Sequence, residues 1–228
     1  MRLNRLFTLL TLAFLTSAVF AQDRKQPQDV NLDAMLSEIQ YSSDDPDFLE
    51  MIWWLPNEFW MVSNSQDPTS SEAESEEIAN IMGDYVIIAV VKGEIGLFGG
   101  IDFVPLSDLR EQVKVTYKGE SLTLLEQNEL PADLKNFTVI LQPMLSNMFG
   151  SMGENMHFLV FDNPASGELL PVDPYGSEPL EFELGKFKPV ADLPLSSLIM
   201  EKICPTDNAL MNGKFNYCPY HGTELVSQ

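Results

Sequence analysis

The hydrophobic positions of this chain fall into two regimes that meet near Gly83. Before it, apolar residues recur at helical spacing. Leu32, Met35, Leu36 and Ile39 repeat every three or four positions, and Asn31 stands where a helix N-cap belongs. Asp44, Asp45, Pro46 and Asp47 open a second segment, residues 48–55, which reads as a helix stopped at Pro56. Ser71, Glu72, Ala73 and Glu74 fit a capping box for a third helix running through Met82. After Gly83 the period changes. Residues 85–91 are a continuous apolar, mostly β-branched run, the pattern of a strand buried on both faces. Residues 101–104, 113–117, 121–125, 137–141, 156–161 and 180–184 are further strand candidates. Val113, Val115 and Tyr117 alternate with Lys114 and Thr116, and Lys118, Gly119 and Glu120 supply a compact hairpin loop. Short strands at regular spacing, with helices gathered at the N-terminus, predict an α+β fold. Its core is expected to be mainly antiparallel β, sandwich or barrel-like. The proline-rich stretch 163–179 reads as a long loop crossing between strands.

The first residues obey neither regime. Arg2 and Arg5 precede an apolar run over residues 6–20, and Val19 and Ala21 are small residues suited to a cleavage site before Gln22. Residues 1–21 therefore read as a secretory signal peptide, which places the mature chain in the periplasm or the medium. The run is short for a membrane span, and no later segment approaches the length of one. Residues 22–31 read as a flexible leader, residues 32–200 as the α+β domain, and residues 201–228 as a small terminal hairpin.

Charge narrows the partners. The chain carries 34 Asp and Glu against 13 Lys and Arg, a net charge of −21, and loses Arg2 and Arg5 with the signal. Such a surface repels phosphate backbones, so nucleic acid is excluded as an expected partner. A hydrophobic share of 45% nevertheless marks a folding chain and not a disordered acidic tail. The acids of residues 66–77 lack the alternating ligands and central glycine of a calcium loop. Gly93, Gly96, Gly99 and Gly100 fit a hairpin turn better than a phosphate cradle, because no Lys-Ser/Thr pair follows them.

Only two cysteines occur, Cys204 and Cys218, and each opens a similar pentapeptide. The first is Cys204-Pro205-Thr206-Asp207-Asn208 and the second Cys218-Pro219-Tyr220-His221-Gly222. Two donors separated by two residues converge on one tetrahedral ion when the chain turns sharply between and after them. Proline presets the turn, and Asn208 and Gly222 are residue types that accept the left-handed conformation after the second donor. Asn212 and Gly213, midway between the knuckles, form the preferred dipeptide of a tight hairpin. Over residues 203–225 this segment resembles the zinc ribbon, whose two Cys-Pro-x-Cys-Gly knuckles are joined by a β-hairpin. The resemblance implies a structural zinc ion on Cys204, Asp207, Cys218 and His221, with Asp207 and His221 standing where the family usually has cysteine. The resemblance does not extend to the main domain.

Two other chemistries compete at these positions. A Cys204–Cys218 disulfide suits an oxidising compartment and needs neither Asp207 nor His221, but it leaves the matched knuckles unexplained. A catalytic zinc keeps three protein ligands and an open position, which becomes available if Asp207 does not bind.

Met144, Met148, Met152 and Met156 recur every four residues before His157, and thioethers bind Cu(I). Core filling is the stronger account of these methionines. Trp53, Trp54 and Trp60 cluster within eight residues and are candidates for a partner-binding platform, or else an aromatic anchor on a sheet. No nucleophile elbow or catalytic triad is legible. The function expected from sequence is therefore an exported, non-catalytic binding protein with a structural zinc site and an unknown protein or small-molecule partner. Alternatives are a periplasmic metal-handling protein, using zinc at the hairpin or copper at the Met144–Met156 row, and a hydrolase without a readable motif.

Overall fold

In the computed structural model, which describes residues 24–162 and 172–228, Asn31 caps the first helix as its sequence requires. Its Oδ1 accepts the Ala34 N–H at 2.9 Å, and α1 (Leu32–Ile39) buries Met35 and Ile39 completely. The chain continues as β1 (Gln40–Ser42), β2 (Phe48–Trp54), α2 (Asn57–Gln66) and α3 (Glu72–Met82). A long hairpin follows, β3 (Val86–Ile95) and β4 (Ile101–Phe103), then α4 (Leu106–Gln112) and three short strands. These are β5 (Val113–Tyr117), β6 (Glu120–Ser121) and β7 (Thr123–Leu124). Helices α5 (Ala132–Phe149) and α6 (Ser151–Glu154) lead into β8 (His157–Asp162), and β9 (Leu180–Leu184) comes after the second described segment begins.

Every pairing among these strands is antiparallel. The main sheet has the order β1-β2-β3-β8-β7, with β4 pairing the outer end of β3, and a second sheet has the order β6-β5-β9. No sheet of the described residues closes into a barrel. Successive strand residues point to opposite faces, so Trp53 and Trp54 report the two sides of the main sheet. Trp54 meets Phe182 of the second sheet at 6.5 Å between ring centroids, and Tyr41 meets the same ring at 5.3 Å. Trp53 meets Phe59 of α2 at 5.6 Å, and the stack continues through Trp60 to Phe137 of α5. The main sheet is thus a middle layer. That explains why Val86 to Val91 are all buried and why their pattern is continuous and not alternating. Glu50 and Lys92, paired across β2 and β3, keep charge inside the sheet by meeting at 2.9 Å.

The expected α+β class and antiparallel pairing hold, and four local expectations need correction. Residues 48–55 are not a helix: Phe48–Trp54 is the strand β2. Residues 137–141 are not a strand but lie inside the helix α5, which also contains Pro143. The leader is not free over residues 24–31. Arg24 bridges Ile199, Pro27–Asp29 forms a 3-10 turn, and Val30 is buried. Asn212 and Gly213 do not form a primed turn, since Gly213 lacks a positive φ. A Cβ on Gly213 would sit 2.3 Å from the Met200 carbonyl oxygen, so close backbone approach is what requires glycine there. The hairpin loop after β5 does follow expectation: Lys118 and Gly119 have φ of 54° and 79°. The expected signal peptide and residues 22 and 23 lie outside the described residues, as do residues 163–171 of the expected long loop.

Candidate metal centre

Residues beyond Glu201 form a separate small unit. Strand β10 (Lys202–Ile203) pairs with both β11 (Leu210–Met211) and β12 (Val226–Ser227), giving a three-stranded sheet in the order β11-β10-β12. Its own core is Cys204, Cys218 and Leu225, with Met211 packed against them. The unit is tied to the body by Asn212 Nδ2 donating to Ser196 Oγ at 2.9 Å and by Lys214 meeting Asp192 at 2.9 Å.

The two pentapeptides adopt the same turn. In the first, the Cys204 N–H donates to Ala209 O at 2.9 Å and the Asn208 N–H to Cys204 O at 2.8 Å, with Asn208 at φ 59°. In the second, the Cys218 N–H donates to Thr223 O at 2.8 Å and the Gly222 N–H to Cys218 O at 2.8 Å, with Gly222 at φ 66°. The left-handed residues are the ones anticipated from sequence, Asn in one knuckle and Gly in the other.

This duplicated turn brings three of the four anticipated donors together. His221 Nδ1 lies 3.4 Å from Cys204 Sγ and 3.5 Å from Cys218 Sγ, and all three donor atoms fall within 4.8 Å of one another. A tetrahedral zinc ion, with Zn–S of about 2.3 Å and Zn–N of about 2.0–2.1 Å, sets sulfur and nitrogen about 3.5 Å apart. The group therefore has the spacing of a coordination shell. Both thiols are free, so the sulfurs are not spent on one another.

Asp207 stands beside this group and not in it. Its Oδ2 is 3.9 Å from His221 Nδ1, while its Oδ1 accepts the Ala209 N–H at 3.0 Å. That hydrogen bond, opposed by some burial and helped by Cys204 and the His221 charge, holds the Asp207 carboxyl below its ordinary range. Burial raises the Cys204 thiol, but the Thr206 N–H, the Thr223 hydroxyl, Cys218 and His221 outweigh it and bring the thiol down to about 7. The thiolate that a metal needs is thus already favoured by the fold. Sequence reading missed the two threonines: Thr223 Oγ1 lies 3.6 Å from Cys204 Sγ and 3.4 Å from Thr206 Oγ1. A hydroxyl at each knuckle was the available signal.

The other candidates do not assemble. Trp53 and Trp54 are 8% and 1% exposed, and Trp60 is partly buried between Phe59 and Phe137. A stacking platform needs an open ring face, so Trp53 and Trp54 are core residues between packed layers and the binding-platform expectation is corrected. Met144 and Met148 project from α5 at 53% and 66% exposed, whereas Met156 is fully buried beyond the break at Gly150. The row is divided between solvent and core. His157 begins β8 opposite Val90, and burial lowers its pKa. A folded-state pKa below the unfolded one means that protonation favours unfolding. Metal-free protein should lose stability as pH falls through about 6.5 toward the lowered value. His157→Gln should flatten that part of a melting-temperature-against-pH curve, and an unchanged slope would remove His157 as its source.

Comparisons with protein-family models, with curated proteins and with solved structures found no match to this chain.

Proposed function

We propose that the protein is an exported interaction protein whose C-terminal hairpin is a zinc-ribbon-like module closed by a structural zinc ion. Cys204, Cys218 and His221 are its protein ligands. One observation carries the reading: the 3.4 and 3.5 Å spacing of His221 Nδ1 to the two sulfurs. Export rests on the signal-like pattern of residues 1–21. Among the described residues no helix is long and apolar enough to cross a membrane. A role in binding is supported by large apolar side chains left in solvent. Leu97 and Phe98 stand fully exposed at the tip between β3 and β4, and α5 presents Val139, Ile140, Met144 and Met148. The partner is expected to be a protein, since exposed apolar side chains of this size are characteristic of protein-binding surfaces.

The test is metal analysis combined with thiol counting. Purified protein is expected to contain one zinc per chain, and unfolding it without reductant in a chelator should release two reactive thiols. Metal-free protein with no titratable thiol would instead establish the disulfide. A second reading, reversible metal handling, is favoured by the 35% exposure of the His221 side chain. Zinc that exchanges with a mild chelator while the hairpin stays folded would support it over the structural role.

A further inference from the structure

Three protein donors leave a tetrahedral ion one ligand short, and the arrangement around Asp207 defines what fills the shell. The sulfurs lie inside, at 0% and 2% exposure for Cys204 and Cys218, while the His221 and Asp207 side chains are 35% and 44% exposed. The solvent side of the donor group is therefore the side of His221 and Asp207. No fourth His, Cys, Asp or Glu of the described residues comes within 4.8 Å of all three donors. Asp207 is the acid beside the group, and its Oδ1 is engaged by the Ala209 N–H. An oxygen and a nitrogen bound to the same tetrahedral zinc lie about 3.3 Å apart, shorter than the 3.9 Å between Asp207 Oδ2 and His221 Nδ1.

We propose that the fourth position of this centre belongs to an exogenous neutral donor, water at rest and an imidazole or amine when one is offered. Asp207 acts on that ligand, as hydrogen-bond acceptor and electrostatic filter, and not on the ion. This rests on the metal reading above. The choice of ligand class follows from charge. Two thiolates cancel the charge of a divalent ion, so a further anion gains little from the metal. It is also repelled by the Asp207 carboxylate beside the site and by a chain whose net charge is −21. Neutral nitrogen and oxygen donors meet no such penalty, and an N–H or O–H on the bound atom finds an acceptor in Asp207. The centre would then recognise a partner through a histidine side chain or a free amine and not through a carboxylate or phosphate.

Cobalt(II) substitution of the whole protein separates this proposal from the one it rests on. A thiolate-to-cobalt charge-transfer band in the near ultraviolet reports the two sulfurs, while the visible d–d bands report the fourth donor. Imidazole is expected to shift the visible bands saturably and leave the charge-transfer band in place, with azide at equal concentration having little effect. Asp207→Asn, which keeps an oxygen for the Ala209 N–H and removes the charge, should retain cobalt and strengthen azide binding by about tenfold or more. Visible bands that imidazole moves in Asp207→Ala but not in the unaltered protein would make Asp207 the fourth ligand. Bands unmoved in both would mean the shell is closed by another group. Either result overturns the proposal while leaving the metal centre intact. Absence of the charge-transfer band would instead overturn the metal reading itself.

Discussion

Cys218→Ser is expected to lower zinc affinity by more than about 100-fold and to unfold the terminal hairpin while the body stays folded. Loss of an outer-shell partner alone costs about 10–100-fold in many metal sites, and a direct sulfur donor is worth more. Serine is nearly isosteric with cysteine but does not ionise near neutral pH, so the substitution removes the donor with little change in volume. The structural consequence follows from how little else holds the unit. Its three strands are two residues long, and its buried core is Cys204, Cys218 and Leu225 with Met211 alongside. Strands so short, over so small an apolar centre, do not persist alone in water. The ties at Ser196 and Asp192 anchor the unit to the body but do not close its loops. Limited proteolysis should cut Cys218→Ser within residues 203–225 and spare the remainder. Unchanged zinc content in this variant, or an uncut hairpin in a zinc-free one, would count against the metal as the closing element.

The second large effect lies in the body. Trp54→Ala should cost about 3–5 kcal/mol, a major part of the 5–15 kcal/mol that a domain of this kind has to lose. Trp54 is 1% exposed and joins the main sheet to the second sheet through Phe182. Truncation leaves a cavity between two sheets whose strands are fixed by backbone hydrogen bonds, so neither layer can collapse into it easily. Trp54→Phe, which keeps an aromatic ring against Phe182, should recover about half of the loss. Urea unfolding followed by far-ultraviolet circular dichroism reads both variants. A cost below about 1 kcal/mol for Trp54→Ala would contradict the layer packing.

Much of this architecture was legible from residue order, and the failures have identifiable physical causes. The first helix announced itself because Asn31 caps it and its buried residues keep helical spacing. The hairpin at Lys118 and Gly119 was legible because a local dihedral requirement selects its residues. Residues 48–54 misled because the inner end of β2, Ile52 to Trp54, is buried on both faces of the sheet. A doubly covered strand loses its alternation, and its apolar run is then indistinguishable from a buried helix. Residues 137–141 misled for the opposite reason. Thr138, Val139 and Ile140 favour strands by propensity, yet Leu134, Phe137, Leu145 and Phe149 carry the helical spacing that packing rewards. In the terminal hairpin the matched pentapeptides pointed to the two cysteines and His221, which the fold places together. They did not reveal that the Asp207 carboxylate would be drawn to the Ala209 N–H, because short-range capping competes with ligation and leaves no separate mark in the spacing.

The middle position of β3 has a kinetic corollary. Ile88 to Val90 are paired with β2 on one side and β8 on the other, and the layers above and below leave these residues essentially without solvent. Their amide hydrogens are released to deuterium only when the whole body opens, whereas those of the hairpin are released by a local event. Exchange at β3 therefore clocks global unfolding, and exchange at residues 203–225 clocks the opening of the terminal hairpin, so one labelled sample follows both processes independently.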